Sequence, residues 1–227
     1  LNITINFSES VTLTNDNMTI NLANGGSATI APFGPASSAS GTYNVSDGDD
    51  TSDLDSQSIS LNSGTLMDNA GNNADTTHPS SNSLAVNKDI VIDTTSGSIS
   101  SGTSSAANDS YKQDDTIAIT ITFSEPLKLT TGSLIIGFNS GGSCSIAAFP
   151  ILTSSVTGTY TVGALDTTLN GSPPPSYLEL DVNTITASGG TLEDGANNPV
   201  VPNIPSVNIS TGSNIYIDNE DPQISNV

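Results

Sequence analysis

The sequence has very little positive charge: it contains no arginine, three lysines and one histidine, against 23 aspartate and glutamate residues. Nucleic acid is a poor partner at the resulting formal net charge of −20, because phosphate contacts need lysine and arginine to displace counterions, and we expect no nucleic-acid binding. Attachment to an anionic membrane surface is excluded for the same reason. Apolar runs also stay far below the roughly 20 residues of a transmembrane helix, so we expect no membrane insertion.

Residues that commonly carry enzymatic chemistry are equally scarce. The one histidine, His78, lies beside a proline in a loop rich in serine and threonine, and the chain has no G-x-S-x-G motif. Tryptophan is absent and aromatic residues make up only 4% of the chain, which does not favour the substrate cleft of a glycoside hydrolase. The one cysteine, Cys144, excludes an internal disulfide and is interpreted as a small apolar strand residue. We therefore predict that the protein is not an enzyme.

A set of short motifs occurs twice along the chain, in the same order. The segment ITINFSES at Ile3 returns as ITITFSEP at Ile119. Three further pairs follow: GTYNV and GTYTV, GTLMDNAGNNA and GTLEDGANNPV, IVIDTTSGSIS and IYIDNEDPQIS. A unit of about 120 residues used twice fits a β-sandwich domain and is too long for a solenoid repeat.

Apolar and polar residues alternate within each unit. In the segment TIAITITF, Ile117, Ile119, Ile121 and Phe123 point to one side, and threonine and alanine point to the other, as in a half-buried strand. Clusters of Gly, Pro, Asn and Asp separate such segments, and no stretch shows sustained helical periodicity. The sequence predicts an all-β chain of two tandem β-sandwich domains with Greek-key connections.

Three of the repeated motifs carry a resemblance to a known family. They are the strand FSEP (123–126), the loop DGANN (194–198) and the linker DTT (93–95). Together they resemble the bacterial Ig-like and cadherin-like repeats of large secreted surface proteins, which include adhesins, filament proteins and surface-layer proteins. The resemblance implies two Ig-like domains, residues 1–93 and 94–218, located outside the cell at its surface.

Three acidic residues that are far apart in sequence are predicted to meet at one pole of the second domain. Asp93 precedes the first strand, Glu125 ends the second strand, and Asp194 lies in a late loop. Clustered carboxylates repel one another unless a cation lies among them, and Ca²⁺ takes six to eight oxygen ligands. The resemblance implies the same ion, because cadherin-like repeats hold calcium at domain junctions. We predict a Ca²⁺ site of these three residues with Asn197 and Asn198, and a solvated acidic rim is the alternative.

A second acidic segment, DGDDTSDLD, contains five aspartates within nine residues, 47–55. It lacks the glycine and glutamate spacing of an EF-hand loop. Two interpretations stay open for it, a local calcium loop and a solvated acidic turn.

The first unit is predicted to lack its own first strand. Leu1 aligns with Ile117, whereas the second unit has a lead-in whose first strand is predicted near residues 98–101. Residues 219–227 have the sequence of a linker and first strand of a further unit. Either the chain is a window from a longer array, or this strand completes the first domain of a neighbouring copy, as in donor-strand complementation.

In the second case the C-terminal strand of one copy would dock into the next. Ile224 and Val227 would pack into the neighbouring first domain as the donor strand. A second calcium site would then combine Asp218 and Asp221 of the donor with residues of the acceptor, namely Glu9, Asp68 and Asn72. Such a head-to-tail contact does not close on itself and builds a filament.

These observations favour a structural function. We predict a rigid Ig-like repeat of a cell-surface filament or adhesin stalk, stiffened by calcium, whose partners are neighbouring copies of itself or adjacent repeats. A ligand-binding adhesin module, directed at carbohydrate or a host protein, is the alternative. The loops found in one repeat only, DGDDTSDLD and NGSPPPSY, are the candidates for such a binding site. An accessory domain of a hydrolase is a third class.

Overall fold

Alternating apolar residues form strands along most of the computed structural model, which describes residues 1–170 and 176–222. The prediction of an all-β chain is confirmed. The chain divides into two compact units, Leu1–Thr95 (unit 1) and Ser96–Val227 (unit 2), two residues later than the predicted boundary.

Unit 1 contains one antiparallel sheet. Its strands are β1 (Asn2–Thr14), β2 (Met18–Leu22), β3 (Ser27–Ile30), β4 (Phe33–Thr42), β5 (Ser56–Leu61) and β6 (Thr65–Asp68). Their order across the sheet is β5-β2-β3-β4-β1-β6. A 3-10 turn at Ser80–Asn82 and the single-turn helix α1 (Leu84–Asn87) follow.

Unit 2 is built around two long strands. Its strands are β7 (Ile99–Ser104), β8 (Asp109–Tyr111), β9 (Thr116–Phe138), β10 (Ser143–Thr161), β11 (Leu169–Asn170), β12 (Ser176–Tyr177), β13 (Val182–Ser188), β14 (Leu192–Glu193), β15 (Pro199–Val200) and β16 (Ile215–Ile217), with a 3-10 turn at Ile209–Thr211. The main sheet has the order β10-β9-β14-β15, and β7 and β13 also pair with β9. Two small sheets pair β11 with β12 and, in parallel, β8 with β16.

The two units share one pairing register. Matching residues face each other across the strands in both: Gly41 opposite Ile3 and Gly158 opposite Ile119, Leu66 opposite Leu13 and Leu192 opposite Leu129. Glycine is needed at residue 41 because a Cβ there would lie 2.6 Å from the carbonyl oxygen of Thr29. The duplication found in the sequence is therefore also a duplication of strand pairing.

Each unit has its own apolar core. In unit 2, Ile121 and Phe123 are buried as the alternation predicts, whereas their unit 1 counterparts, Ile5 and Phe7, are only half-buried. Both phenylalanines stack on a second ring, at centroid distances of 5.9 Å in unit 1 and 6.0 Å in unit 2. Cys144 is buried in β10, and burial raises the pKa of its thiol to about 11, as expected of an apolar strand residue.

A buried tyrosine holds the turn that follows the long strand in each unit. Tyr160 donates a hydrogen bond of 2.7 Å to Asp166, whose carboxylate also accepts the backbone N–H of Gly163. Tyr43 donates to Asp49 at 2.8 Å in the same way. Burial, together with the neighbouring carboxylate, raises the pKa of both tyrosines.

Replacing Tyr160 by phenylalanine is expected to destabilise unit 2 by about 1.5–3 kcal/mol, the usual value of a hydrogen bond to a charged group. The ring packing is preserved in this variant, so the loss of stability measures the hydrogen bond between Tyr160 and Asp166. Denaturant unfolding at neutral pH measures it, with Tyr43→Phe as the matched variant in unit 1. Unchanged stability in both variants would contradict a tethering role.

Candidate metal centre

The three carboxylates predicted to converge do lie together. One oxygen from each of Asp93, Glu125 and Asp194 lies within 4.8 Å of the other two. Within residues 1–170 and 176–222, this is the one group of three or more acidic, histidine or cysteine side chains so arranged. Oxygens that share one Ca²⁺ at about 2.3–2.6 Å lie at most about 5 Å apart, so this spacing fits a common ion.

Local hydrogen bonds fix the orientation of two of these carboxylates. Asp194 is fully buried and accepts the backbone N–H groups of Ala196 and Asn198 at 2.8 and 2.9 Å. Asp93 accepts the backbone N–H of Thr95 at 3.1 Å, within the linker. Such bonds hold a carboxylate in a fixed orientation.

A glycine allows the chain to pass close to Glu125. A Cβ at Gly97 would lie 2.7 Å from a methyl carbon of Leu127 and 3.0 Å from Cγ and one carboxylate oxygen of Glu125. The half-buried Glu125 is therefore packed directly against the start of unit 2.

The two predicted asparagine ligands have other contacts. The side-chain oxygen of Asn197 accepts a hydrogen bond of 2.5 Å from Lys128, and its φ of 70° gives it the left-handed turn position. Asn198 donates its side-chain amide to Asp194 at 2.9 Å. Both residues shape the loop, and their role as calcium ligands stays a prediction. Sequence reasoning missed Lys128, whose cation faces this loop.

The counterparts in unit 1 form the same loop. Asp68 accepts the backbone N–H groups of Ala70 and Asn72 and the side-chain amide of Asn72, each at 2.8 Å. These bonds, first of all those from Asn72, hold the pKa of Asp68 below its usual value. Glu9 is exposed, and within residues 1–170 and 176–222 neither Glu9 nor Asp68 belongs to a group of three acidic, histidine or cysteine side chains.

The predicted donor residues lie at the end of the described chain. Asp218 accepts a hydrogen bond of 2.6 Å from the hydroxyl of Tyr177, which raises the pKa of that tyrosine to about 12. Asp221 is exposed. Ile224 and Val227 lie outside the described residues, so their donor role stays a prediction.

The second acidic segment is held by hydrogen bonds within unit 1. Asp50 accepts bonds from Thr94 and Thr95, at 2.6–2.7 Å, and these bonds lower its pKa, with Thr95 contributing most. Asp55 accepts the backbone N–H of Ala85 at 3.0 Å, which is the main cause of its lowered pKa. Asp50 and Asp55 thus have protein donors, which favours a structural acidic turn over a calcium loop. The other single-repeat loop, NGSPPPSY, lies mostly outside the described residues.

Comparison of the chain with protein-family models, with curated proteins and with solved structures finds no match. No helix in the described part of the chain has the length and apolar character needed to cross a membrane.

Proposed function

We propose that the protein is a structural, extracellular repeat protein, built from two Ig-like β-sandwich units of a cell-surface filament or adhesin stalk. The observation that carries this proposal is the common pairing register of the two units, each with its own apolar core. Repetition of one β unit along a chain is how proteins extend their length without enlarging a single core. Adjacent repeats and neighbouring copies are the partners that such an architecture needs.

The only histidine supports a structural assignment for its surroundings. Its Nε2 lies 2.8 Å from the hydroxyl oxygen of Ser56, and the same oxygen accepts the backbone N–H of Leu84. Ser56 therefore connects the His78 loop to the start of helix α1. The Ser56 hydroxyl oxygen thus fixes the backbone at Leu84.

We further propose that Asp93, Glu125 and Asp194 hold one Ca²⁺. Three carboxylates within 4.8 Å repel one another when ionised, and a divalent cation removes that repulsion.

Calcium is expected to raise the melting temperature of the protein relative to excess EGTA, because an ion bound only by the folded state stabilises it by mass action. At a free calcium concentration of 100 times the Kd, the gain is about 2.7 kcal/mol. Calorimetry in the two buffers measures it. Glu125→Gln should abolish most of the rise, whereas Asp114→Asn, at an exposed left-handed position that asparagine tolerates, should preserve it.

Equal melting curves in calcium and in EGTA would refute the calcium proposal. The architectural part of the proposal is tested by electron microscopy of the native material. Extended filaments or stalks are expected, and compact isolated particles would contradict it.

A further inference from the structure

The chain contains seven acceptor motifs for an N-linked glycan, in which Asn is followed by any residue except Pro and then by Ser or Thr. Their asparagines are Asn2, Asn6, Asn17, Asn44, Asn108, Asn170 and Asn208. A glycan on such an asparagine requires a surface loop with room for a bulky hydrophilic group. The fold therefore decides which of the seven asparagines can carry one.

Four of these asparagines do not lie in an exposed loop of the described chain. Asn2 and Asn6 belong to strand β1, and Asn17 is half-buried directly before β2. Asn170 ends β11 and is followed by residues 171–175, which lie outside the described residues. Three motifs remain, each in a connection between elements, at Asn44, Asn108 and Asn208.

The polar groups of the Asn208 motif are used within unit 2. The side-chain amide of Asn208 donates to the carbonyl oxygen of Val182 at 2.9 Å, and its oxygen accepts the backbone N–H groups of Val182 and Ile209. The hydroxyl of Ser210 donates to Asp181 at 2.8 Å. A glycan at Asn208 would have to grow from an amide nitrogen that faces Val182, so the structure disfavours this motif.

The motif of Asn108 has the opposite arrangement. Asn108, directly before β8, and Ser110, within it, are both exposed. The side-chain oxygen of Asn108 accepts the backbone N–H of Asn214 at 2.9 Å. A backbone N–H can only donate, so the amide nitrogen of Asn108 points away from it. In the described part of the chain, neither this nitrogen nor the Ser110 hydroxyl has a hydrogen-bond partner.

The backbone on both sides of Asn108 is fixed. The hydroxyl of Tyr111 donates to the carbonyl oxygen of Ala107 at 3.0 Å, and Tyr111 and Ala106 pack against the core of unit 2. Strand β8, which follows, pairs in parallel with β16. An ordered loop thus presents the acceptor amide at the surface. Within residues 1–170 and 176–222, no hydrogen bond orients the exposed side chain of Asn44 in this way.

We infer that Asn108 is the attachment site of an N-linked oligosaccharide, whose donor is a glycan joined through phosphate to a lipid carrier. In the transfer, Nδ2 of Asn108 forms a bond to C1 of the first sugar and loses one proton. The bond between C1 and the phosphate oxygen breaks, and the phosphate leaves with the electron pair. The product is a secondary amide that keeps its carbonyl oxygen, so the hydrogen bond from Asn214 is retained. The inference rests on the proposed extracellular location, because this motif is an acceptor in secreted proteins.

Peptide mapping of the native protein tests the assignment. The chain has lysine at Lys88, Lys112 and Lys128 and no arginine, so trypsin releases residues 89–112 as one peptide, in which Asn108 carries the only motif. Protein collected from the cell surface of its source is digested and analysed by mass spectrometry. Most copies of this peptide are expected to exceed the mass of their sequence and to release sugar fragment ions. An unmodified peptide overturns the inference.

Variants produced in the same source identify the attached residue. Ser110→Ala removes the acceptor motif without changing Asn108 and should reduce the modification to background, whereas Ser110→Thr keeps the motif and should keep the modification. Asn214→Gln alters an exposed asparagine outside any motif and should also keep it. A modification that persists in Ser110→Ala overturns the inference, since it then lies on another residue. The proposed function is judged by electron microscopy, so an unmodified peptide from surface filaments refutes the glycan alone.

Discussion

Replacing Phe123 by alanine is expected to lower the free energy of unfolding of unit 2 by about 3–5 kcal/mol, as large-to-small core changes do. The ring is 4% exposed and stacks on Phe149 at a centroid distance of 6.0 Å. Its removal leaves a cavity among long paired strands, which limit how far the surroundings can collapse. Denaturant unfolding followed by hydrogen exchange of β9 and β10 amides measures the loss in unit 2 separately from unit 1.

Phe7→Ala is the matched control for this experiment, because Phe7 has the same strand position and stacks on Phe33 at 5.9 Å. Its ring is half-buried, so less apolar surface is returned to water and the loss should be clearly smaller. A nearly neutral Phe123→Ala would show that the assigned core is wrong, and equal losses in the two variants would contradict the difference in burial between the two rings.

A second large loss is expected for Gly132→Ala. Residue 132 has a φ of 79°, in the left-handed region, and a Cβ there would collide with the carbonyl oxygen of Ser188 and the backbone of Gly189. The backbone of β9 and the end of β13 would have to separate, which disrupts the main sheet of unit 2. The loss should exceed the about 1–2 kcal/mol that left-handed geometry alone costs an L residue. Denaturant unfolding measures it.

Gly141→Ala controls for the backbone conformation. Its φ of 92° is also left-handed, but no atom lies within 4 Å of a Cβ at that position. Only the conformational cost of about 1–2 kcal/mol is therefore expected. A loss in Gly132→Ala no larger than in Gly141→Ala would show that the close backbone approach does not hold in solution.

Strand positions and the duplication of the chain could be read from the sequence. A period of two fixes which side chains share a face, so residues 117–123 form a strand with one apolar face as predicted. The GTY motif keeps one pairing register in both units, because its glycine lies opposite the matching isoleucine, Gly41 opposite Ile3 and Gly158 opposite Ile119. The pattern did not predict that β9 is one continuous strand of 23 residues. Its length depends on pairing with four different strands, which the local sequence does not indicate.

The candidate site was predicted in part. Convergence of Asp93, Glu125 and Asp194 followed from strand topology, which decides where separated segments end. The contact of Asn197 with Lys128 and the bonds from Thr94 and Thr95 to Asp50 did not follow. Such contacts depend on side-chain directions between segments that no local pattern relates.

The clearest contrast lies in two nearly identical segments, ITINF and ITITF. The sequence by itself determined that Ile5 and Phe7 share a face with the core, as Ile121 and Phe123 do. Only the tertiary structure decided how much water each pair meets, because β7 covers the second pair and no described strand covers the first. Alternation is a local property of the chain, whereas burial depends on a strand supplied from elsewhere, which local sequence does not encode.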